Sequence, residues 1–238
     1  MGRNNYFQFK KFRIIQEKSA MKVGTDGVLL GAWADVSGAK KILDVGTGTG
    51  VIALMMAQRS EAEVTAIEID KDSYEEACFN FSQSPWPGRI RAVNSSFYDY
   101  CAETTEKFSL IISNPPFFEN VTKASDQNRS YARHTDLLPY RDLISGSFGL
   151  LEEKGKFTVI IPVQQAEKFI PQAQDSGLYL SKYTNVRPKP SKPFHRILIE
   201  FSKEKTHPVP GELTIETNTH HNFTSEYKNL TKDFYLNF

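Results

Sequence analysis

The sequence predicts an α/β fold, a mostly parallel sheet with helices on both faces, and three observations predict it. Short apolar, β-branched runs alternate with helix-period segments along most of the chain. The run Lys41–Val45 passes directly into a glycine-rich turn, Gly46-Thr47-Gly48-Thr49-Gly50, ahead of the helical stretch 51–59. The run Phe108–Ser113 ends on Asn114-Pro115-Pro116-Phe117, and two consecutive prolines cannot donate to a sheet ladder, so the strand must stop there and turn outward. Ligands of open α/β sheets bind at such carboxyl ends, which makes Asn114 to Phe117 a candidate active site.

Composition bounds the alternatives. A chain of 238 residues that is 39% hydrophobic buries one sizeable core, so 1–238 is expected to form a single domain, with 1–35 as an N-terminal extension on a 36–238 core. The formal charge is only +1, so any nucleic-acid role must rest on local patches. Cys78 and Cys101 have no CxxC partner and read as reduced thiols of a cytoplasmic protein. The first residues lack the apolar core of a secretory signal, and Tyr6 stands where a myristoylation motif wants Ser or Thr. No segment reaches about 18 uninterrupted apolar residues, so no membrane contact is expected, and the sequons at Asn94 and Asn222 carry no weight.

Taken in order, residues 6–21 mix aromatics with Lys10, Lys11, Arg13 and Lys18 against the single acid Glu17. They read either as the solvated face of a small element or as an edge turned toward nucleic acid. A helix follows, N-capped by Thr25 or Asp26, with Val28, Leu29, Ala32 and Trp33 on its apolar face. The strand 41–45, the glycine turn and the helix 51–59 come next. A second strand, 63–70, ends in two acids: Glu68 falls 22 residues after Gly46, where a nucleotide-binding sheet places the carboxylate for ribose hydroxyls, and Asp70 suits the N-cap of a helix over 71–81. A third strand, 89–94, precedes Ser95-Ser96-Phe97, and the fourth is Phe108–Ser113.

Beyond the Pro-Pro stop, residues 118–136 are polar and carry Arg129, Tyr131, Arg133 and His134, a loop placed to close over a substrate and meet phosphate, or a functionally quiet one. His134 has no second ligand at metal spacing, so no metal is expected. An amphipathic helix over 137–151, a strand over 155–161 and a helix over 163–175 broken by Pro171 follow. Between late strands at 178–186 and 196–202, residues 181–196 hold Lys182, Arg187, Lys189, Lys192 and Arg196 with no acid, stiffened by Pro188, Pro190 and Pro193. That stretch is a candidate for RNA backbone contact or a solvated hairpin. A last strand at 212–216 and an aromatic terminus that docks on the body complete the chain.

The glycine turn alone also fits a nicotinamide dinucleotide site, but its third glycine comes two residues after the second where GxGxxG has three, and Asp44 precedes it. That favours a smaller adenosine ligand. With Glu68 and Asn114-Pro115-Pro116-Phe117, the set resembles the class I S-adenosylmethionine-dependent methyltransferases that methylate amino groups. More narrowly, residues 21–34 (Met-Lys-Val-Gly-Thr-Asp-Gly-Val-Leu-Leu-Gly-Ala-Trp-Ala) and 230–236 (Leu-Thr-Lys-Asp-Phe-Tyr-Leu) resemble the bacterial tRNA(Val) adenine-N6 methyltransferases. The resemblance implies a Rossmann-like, seven-stranded, mostly parallel sheet with an antiparallel late strand. It also implies S-adenosylmethionine as methyl donor, a tRNA substrate methylated at position 37 and a monomeric state. Asp44, Gly46, Gly48 and Gly50 would bound the cofactor pocket and Glu68 would hold its ribose. In the slot where the family commonly has an adenine-binding Asp this chain has Ser96, whose hydroxyl, or the Phe97 backbone, would take over. Asn114, Pro115, Pro116 and Phe117 would be catalytic, with Phe117, Arg129, Arg133, Lys189, Lys192 and Arg196 on the substrate.

The residues support that chemistry in their own right. An aryl amine is a weak nucleophile because its lone pair is delocalised, so transfer from a strong methyl donor needs alignment more than a base. The Asn114 carboxamide oxygen and the Pro115 carbonyl can accept the two amine hydrogens and stabilise the charge that develops on nitrogen, while Phe117 can stack on the base. The same hydrogen-bond logic serves a protein glutamine amide. A noncatalytic RNA-binding module on a methyltransferase fold is the alternative from another class, and a dinucleotide oxidoreductase is a third.

Overall fold

In the computed structural model, which describes residues 5–19, 21–116, 138–219 and 222–238, the chain opens with a hairpin of β1 (Tyr6–Gln8) and β2 (Arg13–Ile15). α1 (Thr25–Trp33) leads into a strand and helix series: β3 (Lys41–Val45), α2 (Val51–Arg59), β4 (Glu63–Glu68), α3 (Lys71–Ser82), β5 (Ile90–Asn94), α4 (Phe97–Glu103) and β6 (Phe108–Ser113). The later half holds α5 (Tyr140–Leu150), β7 (Leu151–Pro162), α6 (Val163–Asp175), β8 (Tyr179–Arg187), β9 (Arg196–Ser202), β10 (Val209–Thr214) and α7 (Ser225–Thr231).

Eight strands form one sheet in the order β10-β8-β9-β7-β6-β3-β4-β5. All neighbours are parallel except that β9 runs antiparallel to both β7 and β8, the late reversed strand expected from the sequence. Seven strands were expected. The eighth, β10, adds at the edge beside β8, where Leu213 reaches the core and Pro210 is tolerated because an edge strand need not donate on both sides. It begins at Val209, earlier than the expected 212.

Alternation along each strand divides the core between the two faces. Ile42 of β3, Leu110 and Ile112 of β6 and Leu198 of β9 face α1, α2 and the hairpin. Leu43 and Val45, Ile111, and Ile197 and Ile199 of the same strands face α4, α5 and α6. Two local expectations fail for identifiable reasons. α1 is capped by neither Thr25 nor Asp26; Gly24 is its N-cap, without a side-chain bond, because the Asp26 carboxylate is engaged by Arg196. α6 runs unbroken through Pro171, which sits on the exposed face, so the carbonyl freed one turn earlier can turn to water while Ala166, Phe169 and Ala173 pack inward.

The two chain ends meet. Phe9, Phe12 and Ile14 of the hairpin region are buried, the Lys10 amide donates to the Phe234 carbonyl at 2.8 Å, and Tyr235 stacks on Phe9 at 6.1 Å between ring centres. The hairpin region thus buries an apolar face in the core while Lys10, Lys11, Arg13, Glu17 and Lys18 stay exposed, a solvated face as one of the two sequence readings had it, and the aromatic terminus docks on it.

The start of α2 is equally constrained. Gly50, its N-cap, has φ +86°, and a Cβ there would lie 2.4 Å from the Phe81 ring. Gly50→Ala is expected to cost roughly 2–3 kcal/mol from left-handed strain and overpacking, read as a lowered urea midpoint. An unshifted midpoint would show that α3 yields freely at Phe81.

Candidate active site

From β3 the chain first builds β4 and β5 on one side of the sheet and then returns to form β6 on the other, and the ends of these strands part to leave a crevice. A cleft of about 1510 Å³ opens there, lined by the glycine turn, Glu68, Asn114, Pro115 and Pro116. This exceeds the roughly 300–1,000 Å³ of an ordinary small-molecule pocket and leaves room for a second ligand.

The glycine turn is held from below. Asp44 is fully buried, and its Oδ2 accepts from the Thr47 hydroxyl at 2.6 Å and from the Ala53 amide at 3.1 Å, so it ties the end of β3 to the first turn of α2. The Gly46 and Thr47 amides donate to the Ile67 carbonyl at 3.0 and 2.9 Å, anchoring the turn to β4. Gly46 and Gly48 have φ of +75° and +55°, and a Cβ at either would meet nothing within 4 Å. They face open cleft, which leaves backbone free for close approach by a ligand. Asp44 and Gly50 do not line the cleft; they lie beneath the turn as its support.

Glu68 closes the second wall. Its Oε2 accepts from the Gly48 amide at 2.8 Å and its Oε1 from the Asp70 amide at 2.9 Å, while the Asn94 side chain and the Ser95 amide hold the Glu68 carbonyl. Asp70 accepts from Ser73 N at 2.8 Å as the N-cap of α3, the role expected of it. Burial is the main cause that raises the Glu68 carboxyl above its ordinary value, opposed by the amides it accepts from. As an acceptor only, the ionised group would suit a pair of hydroxyls.

Asn114 follows β6 directly. The Ser113 hydroxyl donates to the Val45 carbonyl at 2.8 Å, which fixes the end of β6 against the start of the glycine turn. The Asn114 Oδ1 is buried and accepts no hydrogen bond among the described residues. Such a group costs about 1–3 kcal/mol when left unpaired, so a strand end that keeps one on a residue lining the cleft is suited to an incoming donor. Its Nδ2 lies 4.0 Å from where a Cβ on Gly27 of α1 would stand, so α1 forms the neighbouring wall.

The remaining expected residues divide. Ser96 and Phe97 line the cleft, but the Ser96 hydroxyl also caps α4, accepting from the Asp99 amide at 3.0 Å and donating to the Asp99 carboxylate at 2.6 Å. Its proton is therefore spent and its free lone pair is an acceptor. Phe117, Arg129, Arg133 and His134 lie outside the described residues. Lys189, Lys192 and Arg196 do not line the cleft: Lys189 pairs with Glu216 at 3.3 Å and Arg196 with Asp26 at 2.8 Å, while Lys192 is exposed. Arg187 and Lys182 are similarly occupied, by Glu212 and the Trp33 ring. Among the described residues no group of three or more His, Cys, Asp or Glu is gathered, and no helix is long and apolar enough to cross a membrane.

Sequence reasoning missed the wall contributed by Lys18, Ser19, Met21 and Lys22 and by the start of α1, and on the far side Arg141 and Asp142 at the start of α5. The available signal was Gly24-Thr25-Asp26, read as a helix start and as part of the 21–34 resemblance but not as a wall of the site.

The chain matches the methyltransferase small domain family over residues 19–170. It is 47% identical to a tRNA1(Val) (adenine(37)-N6)-methyltransferase of Trichodesmium erythraeum (strain IMS101), covering 98% of this chain and 99% of the relative, and 45% identical to one of Bacteroides thetaiotaomicron, covering 98% of each. Among solved structures, one described as a predicted O-methyltransferase of Agrobacterium tumefaciens superposes with a TM-score of 0.67 over 88% of this chain and 96% of its own at 21% identity. A ribosomal protein L11 methylase of Lactobacillus delbrueckii subsp. bulgaricus gives 0.55 over 75% and 77% at 19% identity. At those identities the likeness is one of fold.

Burial is the largest influence on Asp44 and pushes its carboxyl from an ordinary value of 3.8 up to about 7, against the bonds from Thr47 and Ala53. The folded chain therefore holds this proton more tightly than the unfolded one. The stability it contributes is present below about pH 4 and is lost as pH rises through about 7, on the order of 4 kcal/mol over that window. Asp44→Asn is expected to flatten that part of the pH profile in urea titrations; an equal decline in the variant would assign the dependence elsewhere.

Proposed function

The chain belongs to the methyltransferase small domain family, and within it to the tRNA1(Val) (adenine(37)-N6)-methyltransferases that it matches from end to end, and on that footing we propose that it transfers the methyl group of S-adenosylmethionine to N6 of adenine 37 in tRNA(Val). A cytoplasmic setting and a monomeric enzyme complete the proposal. The observation that carries it is a buried, unpartnered oxygen, Asn114 Oδ1, on a residue that lines a cleft walled by a glycine turn and a carboxylate.

The residues present fit the methyl donor. Gly46 and Gly48 leave a cradle that a side chain would fill, Glu68 offers acceptor oxygens beside the Gly48 amide for ribose hydroxyls, and Ser96 offers an acceptor for an adenine amine. Gly24 caps α1 without a side chain, so first-turn amides of α1 are left for an anionic group at the cleft wall. When bound, S-adenosylmethionine supplies an electrophilic sulfonium methyl.

In this proposal the chain's work is alignment. Asn114 Oδ1 accepts one hydrogen of the target amine and the Pro115 carbonyl the other, which favours a pyramidal nitrogen with its lone pair turned toward the methyl. Both acceptors gain strength as positive charge develops on that nitrogen, and they do so in a partly buried site where water competes little. Pro115 and Pro116 stiffen the backbone that presents these groups, and Phe117, next in the chain, stacks on the extruded base.

The test is transfer of labelled methyl from S-adenosylmethionine to total tRNA, followed by nucleoside identification. Label is expected in N6-methyladenosine, and label in protein alone would redirect the assignment to an amide substrate. Asn114→Ala is expected to lower transfer roughly 10²–10³-fold with affinity for S-adenosylhomocysteine retained. Glu68→Ala is expected instead to weaken that affinity roughly 10–100-fold. A fully active Asn114→Ala variant would remove the assigned role. Charge reversal at Lys192, the exposed lysine of the basic stretch, is expected to weaken tRNA binding and flatten its salt dependence; unchanged binding would move the RNA face elsewhere on the molecule.

A further inference from the structure

Two buried polar side chains of α3 are spent on a segment that the mechanism does not use. Glu76 is 5% exposed and Asn80 1%. Glu76 Oε1 accepts from the Glu17 and Lys18 amides at 2.5 and 2.8 Å, and its Oε2 accepts from the Ser19 amide at 3.0 Å. Asn80 Oδ1 accepts from the Ile15 amide at 2.8 Å, and its Nδ2 donates both to the Ile15 carbonyl and to the Thr49 carbonyl at 2.9 Å.

Anchoring an N-terminal hairpin does not require this. Phe9, Phe12 and Ile14 already bury it, and a carboxylate taken out of water is costly unless each of its oxygens is bonded. What the carboxylate does here is hold three consecutive amides, which sets the backbone of residues 17–19 to one shape. Lys18 and Ser19 of that strap line the cleft, followed by Met21 and Lys22, on the same wall as Ser73, whose hydroxyl lies 3.1 Å from that of Ser19. Gln16 extends the clamp, its carbonyl accepting from Lys22 Nζ at 2.7 Å and its Oε1 from the Val23 amide at 2.9 Å. Asn80 is the link between walls: one amide nitrogen bonds the strap at Ile15 and the glycine turn at Thr49, a residue that lies between Gly48 and Gly50.

We propose that Glu76 and Asn80 are positioning residues for the methyl donor, locking the 15–19 strap as the outer wall of the cofactor half of the cleft and joining that wall to the glycine turn. The inference rests on the cofactor assignment made above. A ligand that touches both walls then stabilises the strap, and whatever holds the strap raises affinity for the ligand by the same factor.

Glu76→Gln keeps the volume and loses the charge and one acceptor; Asn80→Asp keeps the volume and Oδ1 and loses both donors. Each is expected to raise the Kd for S-adenosylhomocysteine and the KM for S-adenosylmethionine about tenfold, with a smaller change in kcat, as loss of hydrogen bonds within one charged network would give. The double variant is expected to lose less than the product of the two single effects, because both act through one wall. Folded variants that bind S-adenosylhomocysteine within twofold of the parent, even with a lowered Tm, would reduce both residues to a structural role and overturn the inference while leaving the cofactor assignment intact. A parent that binds no S-adenosylhomocysteine would overturn both. If the variants do not fold, the unaltered protein decides: amide hydrogen exchange at Glu17, Lys18 and Ser19 is expected to slow severalfold on saturation with S-adenosylhomocysteine, and unchanged exchange would overturn the coupling.

Discussion

The Asp44 carboxylate accepts from the Thr47 hydroxyl and the Ala53 amide, and by doing so joins the end of β3 to the first turn of α2 across a glycine turn that has few contacts of its own. Every other feature of the cleft is referred to that turn. Glu68 accepts from its Gly48 amide, Ser113 ties β6 to the strand that feeds it, and Asn80 bonds its Thr49 carbonyl. The arrangement has a cost, because a carboxyl held in a fully buried place is kept closer to neutral than a surface one. A turn with three left-handed glycines is held in one shape by such bonds, from Asp44 below and from Ile67, Glu68 and Asn80 beside it, so the buried acid and the glycines are two halves of one device.

That device explains why polar burial concentrates at the carboxyl ends of the strands. Asn114 keeps an unpaired buried oxygen, Glu68 is largely buried, and Ser96 turns its proton away to Asp99. A core optimised for stability would satisfy or remove such groups. Here each belongs to a residue that lines the cleft and carries an acceptor, which is what an amine and a set of hydroxyls require.

The chain termini have a share in this. The C-terminal aromatics stack on the hairpin, the hairpin passes into the strap, and the strap is bonded to α3 and through it to the glycine turn. Residues distant in sequence thereby form one wall. The basic stretch before β9 tells the opposite story: its acid-free sequence suggested a free electropositive surface, yet Arg196, Lys189 and Arg187 each meet an acid supplied by α1, β10 or the tail. Local charge counts overstate a patch whenever the counter-charges come from elsewhere in the chain.

What the sequence by itself determined was everything whose cause is local. Strand periodicity placed β3, β4 and β6 to within a residue or two, the glycine spacing separated this turn from a dinucleotide turn, Asp70 was legible as a cap, and Asn114 as a group left at a strand end. Tertiary structure alone decided the rest. Asp26 could not be known to pair with Arg196, 170 residues away, and so the cap of α1 was misplaced. The place of the last strand, parallel at the sheet edge, depended on an edge left open by β8, the continuity of α6 through Pro171 on which face met solvent, and the strap on two α3 side chains about sixty residues beyond it. Periodicity and capping act over one or two turns of chain, whereas an ion pair or a buried amide chooses among every partner that folding brings within reach.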